Sequence, residues 1–379
     1  MKKLPFSDKI EFMKILFITD LYPIGEEKIA KALFYFVQEW KNQGHEIEVI
    51  RPNFKLNTLI RGRKIIKEDI YTENEIKIYN LNFNTPFLLN IYNKLPKDFS
   101  LKNYDVLISH MPCGSLMAQA LLKKEQIKYI CSVHASDIKV LTDKKYNLYF
   151  KNKLKKSYLL ADKISARSPI LKAKIENIIP ETKEKTFVAF SGIEEELINS
   201  RTKTIDKNNI KLITISSLIK RKNIDTIIKA VSKTENVSLK IIGEGKEKKR
   251  LKKITLNCKN KIEFLGQLKR EDVIKELNNS DVFVLLSDNE TFGLSYLEAM
   301  ATGNIVIAKK NDGIDGIIKD NFNGFLIKNN TEDLKKCIAK IQKMEENELI
   351  NFQKNIITTI KQYTIEIASQ KYIDNIIEE

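Results

Sequence analysis

DVFVLLSDNETFGLSYLEAMATG, residues 281–303, passes from a short apolar, β-branched run through a polar turn into a helical pattern that stops at a glycine. The continuous apolar run reads as a buried strand ending near Ser287. GLSYLEAMA is rich in helix-forming residues and breaks at Gly303, so a helix is expected from about Phe292–Gly293. Glu290 then lies in the loop before the helix, and Glu298 about one and a half turns inside it. The first N–H groups of a helix have no intrahelical acceptor, so those of Phe292, Gly293 and Leu294 suit an anion, and Gly293 allows a phosphate to approach closely. Carboxylates beside such a site can accept hydrogen bonds from polyol hydroxyls. The plainer alternative makes Glu290 a helix cap and Glu298 a solvated surface acid.

The same alternation extends in both directions. KILFI (14–18), EIEVI (46–50), YDVLIS (104–109), KYICSV (128–133) and TFVAF (186–190) read as strands. Helical patterns fall at 27–43, 115–125, 146–160 and 168–178. In the first of these, Ile29, Leu33, Phe36, Val37 and Trp40 share one face and Gly44 ends the helix. Residues 199–209, NSRTKTIDKNN, are polar and read as a linker. Strands then recur at 211–216, 238–243, 261–266, 281–287, 304–309 and 324–327. Helices are expected between them at 223–233, 246–257, 271–279 and 293–302, and after them at 331–343. This predicts an α/β chain of two Rossmann-like, doubly wound domains facing across a cleft. The expected boundaries are 1–198 for an acceptor-binding domain, 199–209 for the linker and 210–355 for a donor domain. A closing helix over 356–379, within an amphipathic stretch 346–378, would pack back toward the first domain.

Bulk properties exclude several classes. The 379 residues suffice for two domains, and 42 % hydrophobic with 30 % charged residues is ordinary for a globular protein. No run of eighteen apolar residues would span a membrane. The start, MKKLPFSDKIEF, lacks the apolar core of a secretory signal. Four scattered cysteines and three histidines without ligand spacing argue against a disulfide framework and a zinc site, so a cytoplasmic setting and no metal are expected. The formal charge is +16, and the first 200 residues carry 33 basic and 24 acidic side chains, so the excess is spread over both halves. An even spread without a binding motif argues against nucleic acid and favours phosphorylated ligands or an acidic membrane face. A lysine-rich coding bias would produce the same excess.

Four further loops follow expected strands. SSLIKRKN (216–223) places Lys220, Arg221 and Lys222 before a helix, where cations oppose the helix dipole but could neutralise a diphosphate without metal. A solvated basic turn is the alternative. IIGEGKEK (241–248) has a glycine pair suited to a tight turn but no G-x-G-x-x-G, which also disfavours a dinucleotide oxidoreductase. In the first half, Gly25 opens the helix after the first strand, and SVHASD (132–137) puts His134 in a loop after another. His110 also ends a strand, so position alone does not separate a working histidine from a structural one.

Taken in order, these elements resemble the family 4 retaining glycosyltransferases, which have the GT-B fold. ETFGLSYLEAMATG is similar to the family's E-x₇-E element; LIKRKN, IIGEG, NSDVFVLLS, GHEIEVI and HASD support it. The resemblance covers nearly the whole chain. It implies that Glu290 touches donor-sugar hydroxyls and Glu298 the nucleotide ribose. Lys222 would neutralise the diphosphate with the amides of Phe292 to Leu294. Arg221 and Ser217 belong to the same donor loop, His134 lines the sugar site, and Gly25 approaches the reaction centre. Glu290, His134 and Lys222 are the implied catalytic residues. The activity implied is transfer of a hexose or N-acetylhexosamine from a nucleoside diphosphate sugar, UDP-sugar favoured, to a saccharide or lipid-linked hydroxyl, without cofactor or metal. Surface polysaccharide, lipopolysaccharide or glycolipid synthesis would use it. Ser216 and Ser217 stand where the family usually has Gly-Arg, and FSGIEEE (190–196) where Asn-Gly is usual. A sugar-nucleotide epimerase on the same fold, or an accessory nucleotide-sugar-binding homologue, are the alternative readings.

KKYNLYFKNKLKKSY (144–158) carries six lysines and spaces Tyr146, Phe150, Leu154 and Tyr158 at i, i+4. FNTPFLLNIYNKLP (83–96) is aromatic and apolar. Both stretches would suit a peripheral position on an anionic inner membrane face. The alternative buries the aromatic stripe and leaves the lysines solvated.

Overall fold

The computed structural model describes residues 12–23, 31–54, 70–83, 94–199, 201–256 and 258–378. Gly25, Ile29 and residues 84–93 of the aromatic stretch lie outside them. The chain divides into two compact units. One comprises Met1–Ala166, Lys172–Val188 and Ser369–Glu379, the other Arg167–Leu171 and Ala189–Ala368.

In the first unit the elements run β1 (Lys14–Ile18), α1 (Lys31–Asn42), β2 (Glu46–Phe54), β3 (Ile70–Glu73), β4 (Ile76–Phe83), β5 (Val106–His110), α2 (Met111–Leu121), β6 (Lys128–Val133), α3 (Ala135–Thr142), α4 (Leu148–Leu160), β7 (Lys163–Ala166), α5 (Pro169–Ile178) and β8 (Thr186–Val188). The eight strands lie in the order β3-β4-β2-β1-β5-β6-β7-β8, all parallel except the β3–β4 hairpin. Ile15, Leu16, Phe17 and Ile18 are fully buried, as a strand covered on both faces requires. Leu33, Phe36, Val37 and Trp40 form the buried stripe expected of α1. The Trp40 indole N–H donates to the Ser369 carbonyl at 3.1 Å. Three strands were not anticipated. β7 is only four residues, and the β3–β4 turn uses Asn74 and Glu75 at positive φ without the Asn-Gly signature of such turns.

The second unit contains β9 (Ile210–Ile215), α6 (Ile224–Val231), β10 (Val237–Ile242), α7 (Lys248–Thr255), β11 (Ile262–Gly266), α8 (Arg270–Asn278), β12 (Val282–Leu285), α9 (Leu294–Ala301), β13 (Ile305–Lys309), β14 (Phe325–Ile327), α10 (Thr331–Lys343) and α11 (Glu346–Ile360). α12 (Ile365–Ile377) follows. The sheet is wholly parallel in the order β11-β10-β9-β12-β13-β14. The strand order reverses between β9 and β12, so the loops leaving these two strands lie side by side at the carboxyl edge, where open α/β sheets bind ligands. β1 and β5 form the corresponding switch point of the first unit.

Two expectations about boundaries change. Residues 189–198 belong with the second unit, because Ile193 is in its core and Phe190, Leu197 and Ile198 pack against that core. The Ile193 N–H donates to the Tyr363 carbonyl at 3.0 Å, and the Ile365 N–H donates to the Ile193 carbonyl at 2.8 Å. The expected linker is also fixed to this unit. Ile205 is buried, and the Lys203 ammonium donates to the carbonyls of Leu277 and Ser280, both at 2.8 Å. The terminal helical stretch breaks between Ile360 and Ile365 where it meets Ile193. Its end, Ser369–Glu379, counts with the first unit and buries Tyr372, Ile373 and Ile376 there.

Candidate active site

The β9 loop carries the cations. Lys220–Lys222 form a single 3-10 turn, Asn223 adopts a left-handed conformation (φ 52°, ψ 34°), and α6 starts only at Ile224. The basic residues therefore precede the helix, and its first turn holds Asp225 instead. The Asn223 side-chain amide ties this loop to the β12 loop, donating to the Leu286 carbonyl at 2.8 Å and to Asp288 Oδ2 at 2.9 Å. The Asp288 N–H donates to the Arg221 carbonyl at 2.7 Å.

Across that junction Lys222 Nζ donates to Glu290 Oε2, and Arg221 Nη1 stands 3.6 Å from the same oxygen. Lys222 is only 7 % exposed. Burial alone would raise the Glu290 carboxyl, but the charge and hydrogen bond of Lys222, with Arg221, outweigh it and hold the pKa below the ordinary value. The loop is braced from beneath by Asp312, whose Oδ1 accepts from the N–H groups of Glu290 (2.7 Å) and Gly313 (2.8 Å). Lys309 reaches Asp288 at 2.6 Å. Lys222, Arg221 and Glu290, which the sequence pointed to separately, are thus one buried-to-surface ion cluster.

α9 begins one residue later than the sequence suggested, with Gly293 as its cap at φ 88°. A Cβ there would come within 2.6 Å of the Tyr296 ring, so glycine is required for both conformation and space. Phe292 is buried, with its ring 5.8 Å from that of Phe190. Leu294 opens the helix half-buried. Glu298, in the second turn, is not a free surface acid. Arg270 Nη1 pairs with its Oε1 at 2.8 Å, while Arg270 Nη2 holds Glu194 Oε2 at 2.5 Å. Arg270 and Glu194 escaped the sequence reading because nothing in their spacing links residues 194, 270 and 298.

Ser217 is exposed. The glycine pair has a packing role. A Cβ at Gly243 would lie 1.9 Å from the Ser216 carbonyl oxygen, and one at Gly245 would lie 2.3 Å from that of Leu218. The Leu218 N–H also donates to the Glu244 carbonyl at 2.8 Å. The glycines therefore seat the cation-bearing loop. An open cavity of about 800 Å³ lies elsewhere in this unit, beside Phe325, Lys340 and Phe352, and contains none of these side chains.

In the first unit His134 follows β6 and is the cap residue of α3. Its Nε2 is 3.0 Å from His110 Nδ1, and His110 Nε2 is 2.9 Å from Ser132 Oγ. Ser132 continues to Ser165 and to the Tyr372 hydroxyl. Both histidines thus belong to one hydrogen-bonded chain at the carboxyl edge of this sheet. The His134 N–H donates to Asp137 Oδ2 at 3.1 Å, and the Tyr158 hydroxyl donates to Asp137 Oδ1 at 2.9 Å. Among the described residues, no group of three or more His, Cys, Asp or Glu side chains is placed to hold a metal ion.

Both units of the chain are similar to known proteins. The profile described as "Glycosyl transferases group 1" matches residues 196–363, and that of "Glycosyltransferase Family 4" matches residues 29–197. The chain is 29 % identical over 293 residues to the uncharacterized glycosyltransferase MJ1178 of Methanocaldococcus jannaschii, covering 74 % of this chain and 80 % of that protein. It is 28 % identical to the N-acetyl-alpha-D-glucosaminyl L-malate synthase of Bacillus anthracis, covering 75 % and 76 %. Among solved structures, Anabaena Alr3699/HepE in complex with UDP superposes with a TM-score of 0.75 at 17 % identity, over 96 % of this chain and 99 % of that one. The two profiles meet end to end across both units, and the chain belongs to glycosyltransferase family 4, with the GT-B fold, and is a glycosyltransferase.

Proposed function

We propose that the enzyme moves a hexose or N-acetylhexosamine from a UDP-sugar to a saccharide or lipid-linked hydroxyl with retention of configuration, in the synthesis of a surface polysaccharide, lipopolysaccharide or glycolipid. The observation that carries this reading is the Lys222–Arg221–Glu290 cluster beside the start of α9. In the reaction the bond from the anomeric carbon to the diphosphate breaks and negative charge develops on the leaving oxygen. Lys222 and the first amides of α9 would stabilise that charge, which is where binding lowers the barrier. The acceptor oxygen bonds to the anomeric carbon from the leaving-group face and passes its proton to the departing phosphate. Glu290 would orient donor hydroxyls, Glu298 the ribose, and His134 would line the sugar site. Arg221 takes the place of the usual arginine at Ser217, and no metal or other cofactor is needed. UDP is favoured because the Anabaena neighbour is described as a UDP complex.

A thermal-shift screen of nucleoside diphosphates and their sugars tests the donor, since a selective ligand raises the melting temperature. Lys222→Ala is expected to cut turnover by about 10²-fold or more, the scale of a lost transition-state donor. Lys222→Arg should keep part of it. Near-normal turnover in the alanine variant would remove Lys222 from this role.

We also propose that α4 and the turn before it meet an anionic membrane. Leu154 and Tyr158 of the aromatic stripe are buried, but Leu148 is 69 % and Tyr149 57 % exposed beside Lys144, Lys145 and Lys156. Among the described residues no helix is long and apolar enough to cross a membrane. Co-sedimentation with phosphatidylglycerol vesicles is expected for the natural chain and should fall sharply for Leu148→Glu/Tyr149→Glu. Equal sedimentation of both would count against it.

A further inference from the structure

Arg270 opens α8, just after β11, and its two terminal nitrogens are both committed to acids from distant segments. Nη1 holds Glu298, from the second turn of α9, and Nη2 holds Glu194, from the segment before β9. The Glu298 side chain is 14 % exposed. A planar guanidinium can grip two carboxylates at once in fixed directions, which a lysine ammonium cannot do. Without it, two half-buried acids would face each other uncompensated, and each would turn away.

We propose that Arg270 is a positioning residue for the nucleotide: by holding Oε1 of Glu298 it fixes the orientation in which that carboxylate meets the vicinal hydroxyls of the donor ribose, while Glu194 locks the guanidinium. This rests on the reading of Glu298 as the ribose-binding acid. A carboxylate that accepts from two adjacent hydroxyls must be held within a fraction of an ångström, and a long side chain in the second turn of a helix has the freedom to miss. Ion pairs this close to the surface add little to stability. Loss of Arg270 should therefore weaken ribose recognition while leaving the melting temperature nearly unchanged.

The test is calorimetric titration of the full chain with UDP and with 2′,3′-dideoxy-UDP, repeated with GDP and its dideoxy analogue. The natural chain is expected to prefer the ribose form, and Glu298→Gln to lose that preference. Arg270→Ala should bind the ribonucleotide roughly tenfold more weakly, in line with the loss of a charge-assisted hydrogen bond, with the dideoxy form within about twofold of the natural chain. Arg270→Lys should restore part of the preference. If Arg270→Ala keeps the full preference while Glu298→Gln loses it, the inference is wrong and the ribose reading stands. Equal weakening toward both nucleotides in Arg270→Ala would mark a merely structural role and also overturn it. If the natural chain shows no preference, or no heat with either base, the ribose reading fails and takes the inference with it.

Discussion

Asp137 has no exposed surface, and burial lifts its carboxyl to about 7 against the hydrogen bonds from Tyr158, the His134 N–H and Ser136 that favour the charged form. In the unfolded chain the group returns to an ordinary value near 3.8. Between those values the folded chain keeps a proton that the unfolded chain has released. The stabilising contribution is therefore complete below the unfolded value and is lost as the pH rises through about 7. Asp137→Asn is expected to remove this slope, so urea unfolding at pH 5 and pH 8 should differ less for the variant than for the natural chain. Identical slopes would show that Asp137 is charged in both states. At this scale the residue types were legible: HASD and the two glutamates stood out. Which of them pair was not legible, because partners such as Lys222 and Glu290 are 68 positions apart.

Strands covered on both faces write themselves as continuous apolar runs, which is why β1 and β6 coincide with KILFI and KYICSV. Two of the elements that escaped carry weak patterns. α3 is eight residues long with mixed composition, and β3 alternates exposed with half-buried positions. The glycine pair in IIGEG was visible, but its reason was not. Gly243 sits at φ 133° with the Ser216 carbonyl where a Cβ would go, a contact made by another loop. Gly243→Ala is expected to destabilise the second unit by about 2–3 kcal/mol, from strain and displaced backbone. It should also weaken nucleoside diphosphate binding, because Ser216 leads into the Lys222 turn. A urea midpoint unchanged from the natural chain would contradict the steric reading.

For the whole molecule, the sequence-distant packing of the C-terminal segment matters most. Tyr372 is buried against Trp40, with ring centroids 5.1 Å apart, and its hydroxyl lies 2.8 Å from Ser165 Oγ. Truncation after residue 368 would remove Tyr372, Ile373 and Ile376 together, each 1 % exposed. Each large apolar side chain lost from a core costs about 2–5 kcal/mol, and typical domains have only about 5–15 to lose. The truncated chain is therefore expected to lose the cooperative melting of the first unit. Calorimetry showing two intact transitions would refute this.

The sequence by itself determined the type and order of most elements and the doubly wound class. Periodicity, helix stops and strand composition are local properties, and they survive without knowledge of the fold. Only the tertiary structure decided where the units divide, that Lys222 and Glu290 share one ion pair, and that Glu298 answers to Arg270 and Glu194. Those facts depend on which strand lies beside which. The reversal of order between β9 and β12 brings their loops together, and spacing along the chain carries no measure of that distance.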